Sequence, residues 1–348
     1  MSEKYSITEA DLLTSGPGIE ALWMRNLVGH DAASVRVKLR LGYRENPVGA
    51  GIVLVLAADG SPQAQGVQGM QPRVFHLGTR SFRAVELADY VVNAEHRSLG
   101  PALMLLRRAA QIGAERFDLV YGFPNAKAVP VFVRAGFKQL GLLHRYAKLL
   151  RSHTQLARRM PAPLAQLCAV VVDGVIALVN AIRSRLRGKR LVCEAVDWDD
   201  RAIDELSISG GETMLLSERS GQRLRWRFGT LRRAAWQVCI ARDARAVACG
   251  YIVWRDLNGN AHIGDFFATD PDSGTCSLML AFAYFARRSG MQSISAHFFG
   301  PLRIIKQLSA AGLVERPDNS AIFASTGGAI PRLSTEAWYL TGFDSDSD

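Results

Sequence analysis

A weak internal repeat limits the fold of this chain more than any other feature of its sequence. Short segments recur in the same order, at separations that settle near 176 residues within a chain of 348. The matched pairs are residues 36–42 with 223–229, 64–66 with 248–250, 88–92 with 264–268, 103–105 with 278–280, and 134–137 with 310–313. Each match is weak alone, but their shared order predicts two tandem copies of one unit.

Hydrophobic periodicity predicts a mixed α/β chain, in which each unit is rich in strands at first and then alternates strands with helices. In the first copy we expect a hairpin over 51–58 and 63–71, a strand over 86–93, a helix over 101–111, a strand over 117–123 and a short helix over 125–136. The second copy repeats this order at 262–269, 276–290, 293–299 and 301–312. The segments 36–42 and 223–229 alternate basic and apolar residues, which predicts half-buried strands. The expected domains are 1–150, a linker at 151–195, and 196–348.

The charge of the chain favours an anionic partner. The formal net charge is +10, and residues 151–190 contain eight basic side chains against one acidic side chain. The five cysteines form no CxxC pair and the first residues have no apolar signal core, so we expect a cytoplasmic protein with reduced thiols. The histidines lack the spacing of a metal site, so no metal is expected.

The segment 164–182 is long and apolar enough to suggest a membrane span. We reject a span because Asp173 would lie at its centre, and because Gln166, Asp173, Asn180 and Arg187 recur every seven residues as a polar stripe. An amphipathic linker helix packed on both domains is the favoured interpretation. The alternative is a peripheral contact with an anionic membrane, in the plane of its inner face.

Residues 96–106, HRSLGPALMLL, predict a place for an anion where a strand leads into a helix. A helix start carries unpaired N–H groups and partial positive charge. Gly100 lets a ligand approach the backbone closely, Arg97 adds a full positive charge, and Pro101 is tolerated at a helix start. These features suit a phosphate or a pyrophosphate.

Two motifs over residues 36–150 resemble the acyl-CoA-binding core of the GNAT N-acyltransferase superfamily. The pyrophosphate loop of that family reads Arg or Gln, two residues, Gly, one residue, then Gly or Ala, and Arg97, Gly100 and Ala102 match it. The next motif reads Asn, two residues, Ala, three residues, Tyr, three residues, then Gly-Phe. Its matches are Asn125, Ala128, Gly136 and Phe137, with Phe132 in place of the tyrosine.

The resemblance implies two tandem GNAT-like units, each with a central mixed sheet flanked by helices. It also implies that acetyl-CoA or another acyl-CoA is the co-substrate. The residues that it places around the acyl-CoA are Val92, Asn93, Ala94, Arg97, Ser98, Leu99, Gly100, Ala102, Asn125, Ala128 and Phe132.

The resemblance also implies acyl transfer to an amine, which must lose a proton to a base. Glu86 and Asp89 are the candidate bases, and strand alternation places them on opposite faces unless a bulge intervenes. Because Phe132 replaces the tyrosine that often protonates the leaving thiolate, Tyr121 is a candidate substitute. Tyr146 and His144 are further candidates.

The second copy is predicted to have no CoA site of its own. It carries Asp270 and Asp272 where the first copy has His96 and Arg97, and two carboxylates repel a pyrophosphate. We expect this copy to shape an acceptor pocket where the two units meet. The basic residues of 36–42 and 223–229 could bind an anionic acceptor, although such a stripe is more often only solvated.

These features predict an acyl-CoA-dependent N-acyltransferase whose acceptor is a small-molecule or saccharide amine. The segment 338–346 resembles the end of acyltransferases linked to bacterial cell-envelope polysaccharides, which points to an amino sugar or an exopolysaccharide precursor. One alternative is a peptidoglycan-type transferase that uses aminoacyl-tRNA. The other is a non-catalytic acyl-CoA-binding module at the membrane surface. Few aromatic residues accompany the basic ones, which disfavours a nucleic-acid partner.

Overall fold

The computed structural model describes residues 5–26, 31–60, 63–97, 99–187, 189–206, 214–229, 235–326 and 334–345. The strands are β1 Tyr5–Glu9, β2 Ile52–Ala58, β3 Ala64–Leu77, β4 Arg80–Val92, β5 Leu119–Gly122, β6 Lys138–Leu149, β7 Val192–Val196, β8 Leu215–Ser217, β9 Gln237–Arg242, β10 Ala248–Leu257, β11 Asn260–Ala268, β12 Ser293–Phe299, β13 Val314–Thr326 and β14 Trp338–Thr341. The helices are α1 Gly16–Asn26, α2 Ala32–Leu39, α3 Leu99–Arg116, α4 Val129–Arg134, α5 His153–Ala157, α6 Ala162–Arg187, α7 Ala202–Glu205, α8 Gly221–Leu224, α9 Pro271–Arg288 and α10 Leu302–Ala310.

One continuous mixed sheet runs through the molecule, in the order β1-β2-β3-β4-β5-β13-β6-β12-β11-β10-β9-β7, and β14 and β8 join it off this path. The predicted mixed α/β class is therefore confirmed. The predicted hairpin is β2 and β3, and the predicted strand over 86–93 is the second half of β4. Helix α3 follows β4 and is longer than expected.

The two sequence halves exchange their last strands. Strand β6 of the first half pairs with β12 of the second, while β13 of the second half pairs with β5 of the first. Strands β6 and β13 also pair with each other at the centre of the sheet. The halves are therefore joined through backbone hydrogen bonds, and the domain boundary after residue 150 stays a prediction.

The predicted strands at 36–42 and 223–229 are wrong, because both segments are helical. Helix α2 continues into a π-helical turn at Arg40–Arg44, and α8 continues into another at Arg225–Gly229. The reason is capping: the Asp31 side chain accepts from the Ser34 backbone N–H, and the Ser220 side chain accepts from the N–H of Arg223. The shared shape of the two segments agrees with a two-unit organisation, and the duplication itself stays a prediction.

The helices cover both faces of the first half of the sheet. Helices α3 and α4 pack on one face, where Val85 and Leu87 of β4 contribute to the core. Helices α1 and α2 pack on the other face around Trp23 and Tyr43. The second half has its own larger core, which includes residues of α9 and α10.

We expected the linker helix α6 to pack its apolar side against the protein. The structure shows the opposite orientation. The apolar side chains of α6 point outward, and Asp173 of the polar stripe points inward. Within the described residues α6 is the one helix long and apolar enough to cross a membrane by length and composition, and 11% of that stretch is buried.

Candidate active site

The parallel strands β4 and β5 separate at a bulge in the first half. They pair over four residues each, ending at Leu87 and Gly122. Strand β4 then continues to Val92 beside β3, and its other edge has no strand partner among the described residues. Asp89 has a φ of 54° where the register between β3 and β4 shifts. A bulge bends a strand away from its neighbour, so a gap opens between β4 and β5.

The bulge brings both candidate carboxylates to one face of the sheet. Glu86 lies opposite Gln71 of β3, and paired residues of neighbouring strands share a face. The Gln71 amide Nε2 lies 3.4 Å from Asp89 Oδ2, so Asp89 shares that face too. Simple alternation would have separated the two carboxylates, and the bulge that we allowed for is present.

Asp89 is buried in a compact polar cluster. Its carboxylate accepts from Lys38 Nζ at 2.6 Å and from Tyr43 Oη at 2.6 Å. The Asp89 side chain is 1% exposed, whereas the Lys38 side chain is 12% exposed. The ammonium therefore lies between the carboxylate and solvent. A non-glycine residue in the left-handed region is strained, and such strain tends to persist where function needs it.

Glu86 and Tyr121 form a second, deeper cluster. Arg73 Nη2 donates to Glu86 Oε2 at 2.5 Å, with both side chains fully buried. Tyr121 lies opposite Glu86 on β5 and donates to the Asp344 carbonyl at 3.3 Å. Burial, with the charge of Glu86, raises the pKa of Tyr121 well above its usual range. The positive charge of Arg73 thus balances the negative charge of Glu86, and Tyr121 keeps its proton.

The junction between the halves is tightly packed beside this cluster, where we expected an acceptor pocket. Trp226 Nε1 donates to the Leu41 carbonyl at 2.9 Å, and Arg223 Nη1 donates to Asn46 Oδ1 at 3.1 Å. Arg73 and Arg223 lie 5.0 and 4.7 Å from the Trp226 ring centroid. Burial, together with the charge of Arg73, lowers the pKa of Arg223 to about 9. The described part of the junction is therefore packed at the place where we expected the acceptor pocket.

The basic residues that suggested a solvated or anion-binding stripe have separate roles. Lys38 pairs with Asp89, and Arg223 is buried in the junction. Arg225 makes an ion pair with Asp204 at 2.7 Å near the surface. A helix distributes these side chains around its axis, so they do not form one stripe.

The start of α3 is open. Gly100 is exposed and has no neighbouring atom within 4 Å of the position that a Cβ would take. Arg97 reaches back toward β4, where its Nε donates to the Val92 carbonyl at 3.1 Å and its Nη2 donates to Asn26 Oδ1 at 3.0 Å. An exposed guanidinium and an unobstructed first turn therefore lie together at the end of the gap.

Asn93 and Ala94 shape the turn from β4 to α3. The Asn93 N–H donates to the Gln65 carbonyl at 2.7 Å, and a single 3₁₀ turn spans Ala94–His96. Ala102 is half-buried in the first turn of α3. Ser98 lies outside the described residues, and Leu99 begins the helix.

The second motif lies at the far side of the gap, after β5. Asn125 Oδ1 accepts from the Lys127 and Ala128 backbone N–H groups, both at 3.1 Å. Phe132 of α4 is buried, and its Cε1 lies 3.4 Å from where a Cβ on Gly122 would stand. Phe132, which stands where the GNAT motif has tyrosine, therefore borders the end of β5.

A hydroxyl that the sequence analysis missed lies on β4 just after the bulge. Tyr90 packs against the core formed with α3 and α4, and its buried hydroxyl has no hydrogen-bond partner among the described residues. Burial raises its pKa. An unpaired buried hydroxyl is costly, so a ligand atom that accepts from it would be favoured. Tyr90 differs from other tyrosines on strands in that it follows the bulge, and the sequence carries no clear signal for the bulge.

Tyr146 and His144 are not brought to the gap. Both lie on β6, which is separated from β5 by β13. His144 Nδ1 lies 2.7 Å from Glu315 Oε1, and burial raises the pKa of Tyr146 to about 12.

The corresponding gap in the second half is filled by the chain itself. Strands β11 and β12 pair over four residues each, and β14 lies against β12 beyond that point. Thr341 Oγ1 donates to Asp265 Oδ1 at 2.6 Å, and Tyr339 Oη donates to the Phe266 carbonyl at 2.7 Å. The C-terminal segment thus occupies the place that stays free in the first half.

The start of α9 is also closed. The Asp270 side chain caps the helix by accepting from the Ser273 N–H at 3.3 Å, and hydrogen bonds from Ser273 lower the pKa of Asp270. Asp272 makes an ion pair with Arg303 at 2.6 Å. Both carboxylates that we expected to repel a pyrophosphate therefore have partners within the protein. The Asp270 carboxylate caps the helix start, which is the position that an anion would otherwise occupy.

A cavity of about 740 Å³ lies between α1 and the β2–β3 connection, lined in part by Ser15, Met24 and Gln63. Glu86, Asp89 and Tyr121 do not line it. The cavity and the carboxylates are therefore separate features.

No protein-family model matches the sequence, and no curated protein matches it. Solved structures do match the fold. A GCN5-related N-acetyltransferase from Anabaena variabilis aligns with 92% of this chain and 72% of its own, at 13% identity and a TM-score of 0.62. Another from Kribbella flavida aligns with 93% and 71%, at 13% identity and a TM-score of 0.57.

A third match is a GCN5-related glucosamine N-acetyltransferase region in a fungal multi-domain β-N-acetylglucosaminidase. It covers 93% of this chain and 38% of the fungal one, at 11% identity and a TM-score of 0.54. At such low identity these matches establish the fold, which is that of the GCN5-related N-acetyltransferases. The fold predicted from the two motifs is thereby confirmed, and the activity has to be argued from the site.

Proposed function

We propose that the protein transfers an acyl group, acetyl in the simplest case, from a coenzyme A thioester to a primary amine. The observation that carries this proposal is an asymmetry between the halves. In the first half, the gap between β4 and β5 and the start of α3 are open. In the second half, β14 fills the gap and Asp270 caps the helix.

The donor fits the open gap by ordinary backbone chemistry. The free edge of β4 over 88–92 can pair with the amide groups of the pantetheine arm, as an added strand would. The first turn of α3 at Gly100 and the guanidinium of Arg97 suit the diphosphate. Phe132 and Ala128 then border the thioester end of the gap.

The reaction forms a C–N bond and breaks the C–S bond of the thioester. The amine attacks the carbonyl carbon, its proton passes to a base, and the leaving thiolate takes a proton. Free backbone N–H groups of β4 can stabilise the oxyanion. Asp89 is the base that we favour over Glu86, because Arg73 holds Glu86 in a fully buried ion pair.

Two side chains support the proton transfers. Asp89 already accepts from a primary ammonium, that of Lys38 at 2.6 Å, so its carboxylate has the geometry to hold an acceptor amine. Tyr90 carries the unpaired hydroxyl beside the gap and is the proton donor that we propose for the thiolate. Tyr121 is fully buried beside Arg73 and Glu86, which disfavours that role for it.

We propose an amino sugar, free or in a cell-envelope precursor, as the acceptor class. The fold match with a glucosamine N-acetyltransferase region supports this choice. The C-terminal segment that first suggested an envelope link fills the gap between β11 and β12 in the second half. Its sequence therefore has a structural reason, and it gives little support to a particular acceptor.

Turnover on a panel of amines tests the proposal. The full chain is incubated with acetyl-CoA and glucosamine, galactosamine, a nucleotide-linked amino sugar or amino acids, while a thiol reagent follows CoA release and mass spectrometry identifies the product. We expect CoA release matched by an acetylated amino sugar, and its loss in an Asp89→Asn variant. Acetyl-CoA binding without turnover would support the non-catalytic module that Phe132 suggests. Binding of aminoacyl-tRNA in place of acetyl-CoA would support the peptidoglycan-type alternative.

A further inference from the structure

Helix α6 presents an unusual apolar surface to solvent. Ten large aliphatic side chains along it are between 38% and 78% exposed. They are Leu164, Leu167, Val170, Val171, Val172, Val175, Leu178, Val179, Ile182 and Leu186, and we call them the α6 apolar face. A contiguous apolar surface of this kind marks an interaction site more often than chance exposure.

The helix is fixed in this orientation by its polar side. Asp173 Oδ1 accepts from the Ser152 backbone N–H at 2.7 Å and from Ser152 Oγ at 2.8 Å. Arg287 Nη2 donates to the Asp173 carbonyl at 3.2 Å. Ala165 and Ala169 are buried on the same side and let the helix approach closely. The polar side is thus committed to the protein, and the apolar side is left for a partner.

The charges around the α6 apolar face indicate the partner. Exposed basic side chains lie just before the helix, at Arg158 and Arg159, and at its end, at Arg185, Lys189 and Arg190. Asp173 is the one acidic residue between 164 and 186, and it points inward. An apolar strip with cations at both ends complements acyl chains beneath anionic headgroups.

We propose that α6 docks the protein on an anionic membrane surface, with its helix axis in the membrane plane. A helix of 26 residues is roughly 39 Å long, and the contacts of Asp173 with Ser152 and Arg287 hold its polar side on the protein, which favours the in-plane orientation over a span. A second copy of the chain is the competing partner for an apolar face. Its basic ends would lie against equally basic ends, which disfavours such a dimer.

Vesicle co-sedimentation of the full chain tests the proposal. We expect binding to vesicles that contain anionic phosphatidylglycerol. Binding to neutral phosphatidylcholine vesicles, or to the anionic vesicles at high salt, should be weaker by roughly ten-fold or more. Val171→Glu with Leu178→Glu should reduce binding at least about ten-fold. The matched control is Val247→Glu with Val314→Glu, which places the same charges at exposed apolar positions elsewhere and should bind as the wild type does.

The exposed Cys168 on α6 offers a direct readout. An environment-sensitive dye on Cys168, with Cys249 replaced by serine, should shift to the blue on anionic vesicles. The same dye on Val247→Cys, in a chain that lacks Cys168 and Cys249, should not shift.

Three results would overturn the membrane proposal. They are absence of vesicle binding, binding that ignores lipid charge, and a wild-type dimer in solution that Val171→Glu with Leu178→Glu separates. The proposal does not depend on acyl transfer, because a Gly100→Glu variant that loses acetyl-CoA should still bind vesicles.

Discussion

Alanine substitution of two helix glycines should change stability in opposite directions. Gly113 lies inside α3 and Gly174 inside α6, so each replacement gains up to about 1 kcal/mol of helix propensity. A Cβ on Gly113 would stand 2.4 Å from Val120 Cγ2 on β5, whereas a Cβ on Gly174 would meet no neighbour within 4 Å. Packing therefore decides the first case and propensity decides the second.

The magnitudes separate the two variants clearly. Overpacking a filled core costs about 1–3 kcal/mol, which exceeds the propensity gain. Gly113→Ala should therefore lose about 1–2 kcal/mol, and Gly174→Ala should gain up to about 1 kcal/mol. Urea unfolding followed by tryptophan fluorescence measures the change in the free energy of unfolding of each variant, provided that the dependence of this free energy on urea concentration is the same as in the wild type. If Gly113→Ala proves as stable as Gly174→Ala, the close contact of α3 with β5 is not as described.

Three further predictions concern buried charge. Arg219→Met should cost about 3–5 kcal/mol, because fully buried Asp265 and Asp344 lose their cation, whereas Arg116→Met removes an exposed pair with Glu9 and should cost less than about 1 kcal/mol in the same urea assay. Burial, with the nearby charge of Arg183, lowers the pKa of Lys148 to about 8 from its ordinary 10.5, so the unfolded chain binds more protons between these values. Stability from this group should rise with pH over that window, and Lys148→Met should flatten the rise in urea titrations at each pH. Asp89→Asn should lower kcat by roughly 100-fold or more while acetyl-CoA binding stays unchanged, as measured by kinetics and calorimetry; an equal loss of binding would remove Asp89 from the base role.

Local motifs in the sequence predicted where the residues that we propose for donor binding lie. Arg97, Gly100 and Asn125 lie beside the gap between β4 and β5, on the elements expected for them. These features depend on residues close in sequence, which is why a motif can describe them.

Other features depend on information that a short segment does not carry. The exchange of β6 and β13 is set by pairing between distant strands. The bulge at Asp89 occurs at a residue that shows no glycine-like signal. The periodicity of α6 gave its amphipathic character correctly, but it could not say which side meets the protein, because Ser152 and Arg287 decide that.

The segment at 36–42 shows how a pattern can favour the wrong period. Its alternating residues read as a strand, yet Asp31 and Ser34 form a capping box just before it. A cap followed by Val35 and Leu39, which are both buried four residues apart, also fits a helix. The cap was the stronger signal, and the same holds for Ser220 before 223–229.

Calorimetric titration of acetyl-CoA into the wild type and two charge variants tests whether the start of α3 binds the diphosphate of the donor. Gly100→Glu adds a carboxylate to the first turn of α3, where a negative charge stabilises a helix by about 0.3–1 kcal/mol, so the fold should be retained. Gln111→Glu adds the same charge at an exposed position roughly 16 Å further along the same helix. We expect saturable binding to the wild type and to Gln111→Glu, and at least about ten-fold weaker binding to Gly100→Glu. Equal affinity of all three proteins for acetyl-CoA, or no binding to any of them, would contradict this expectation.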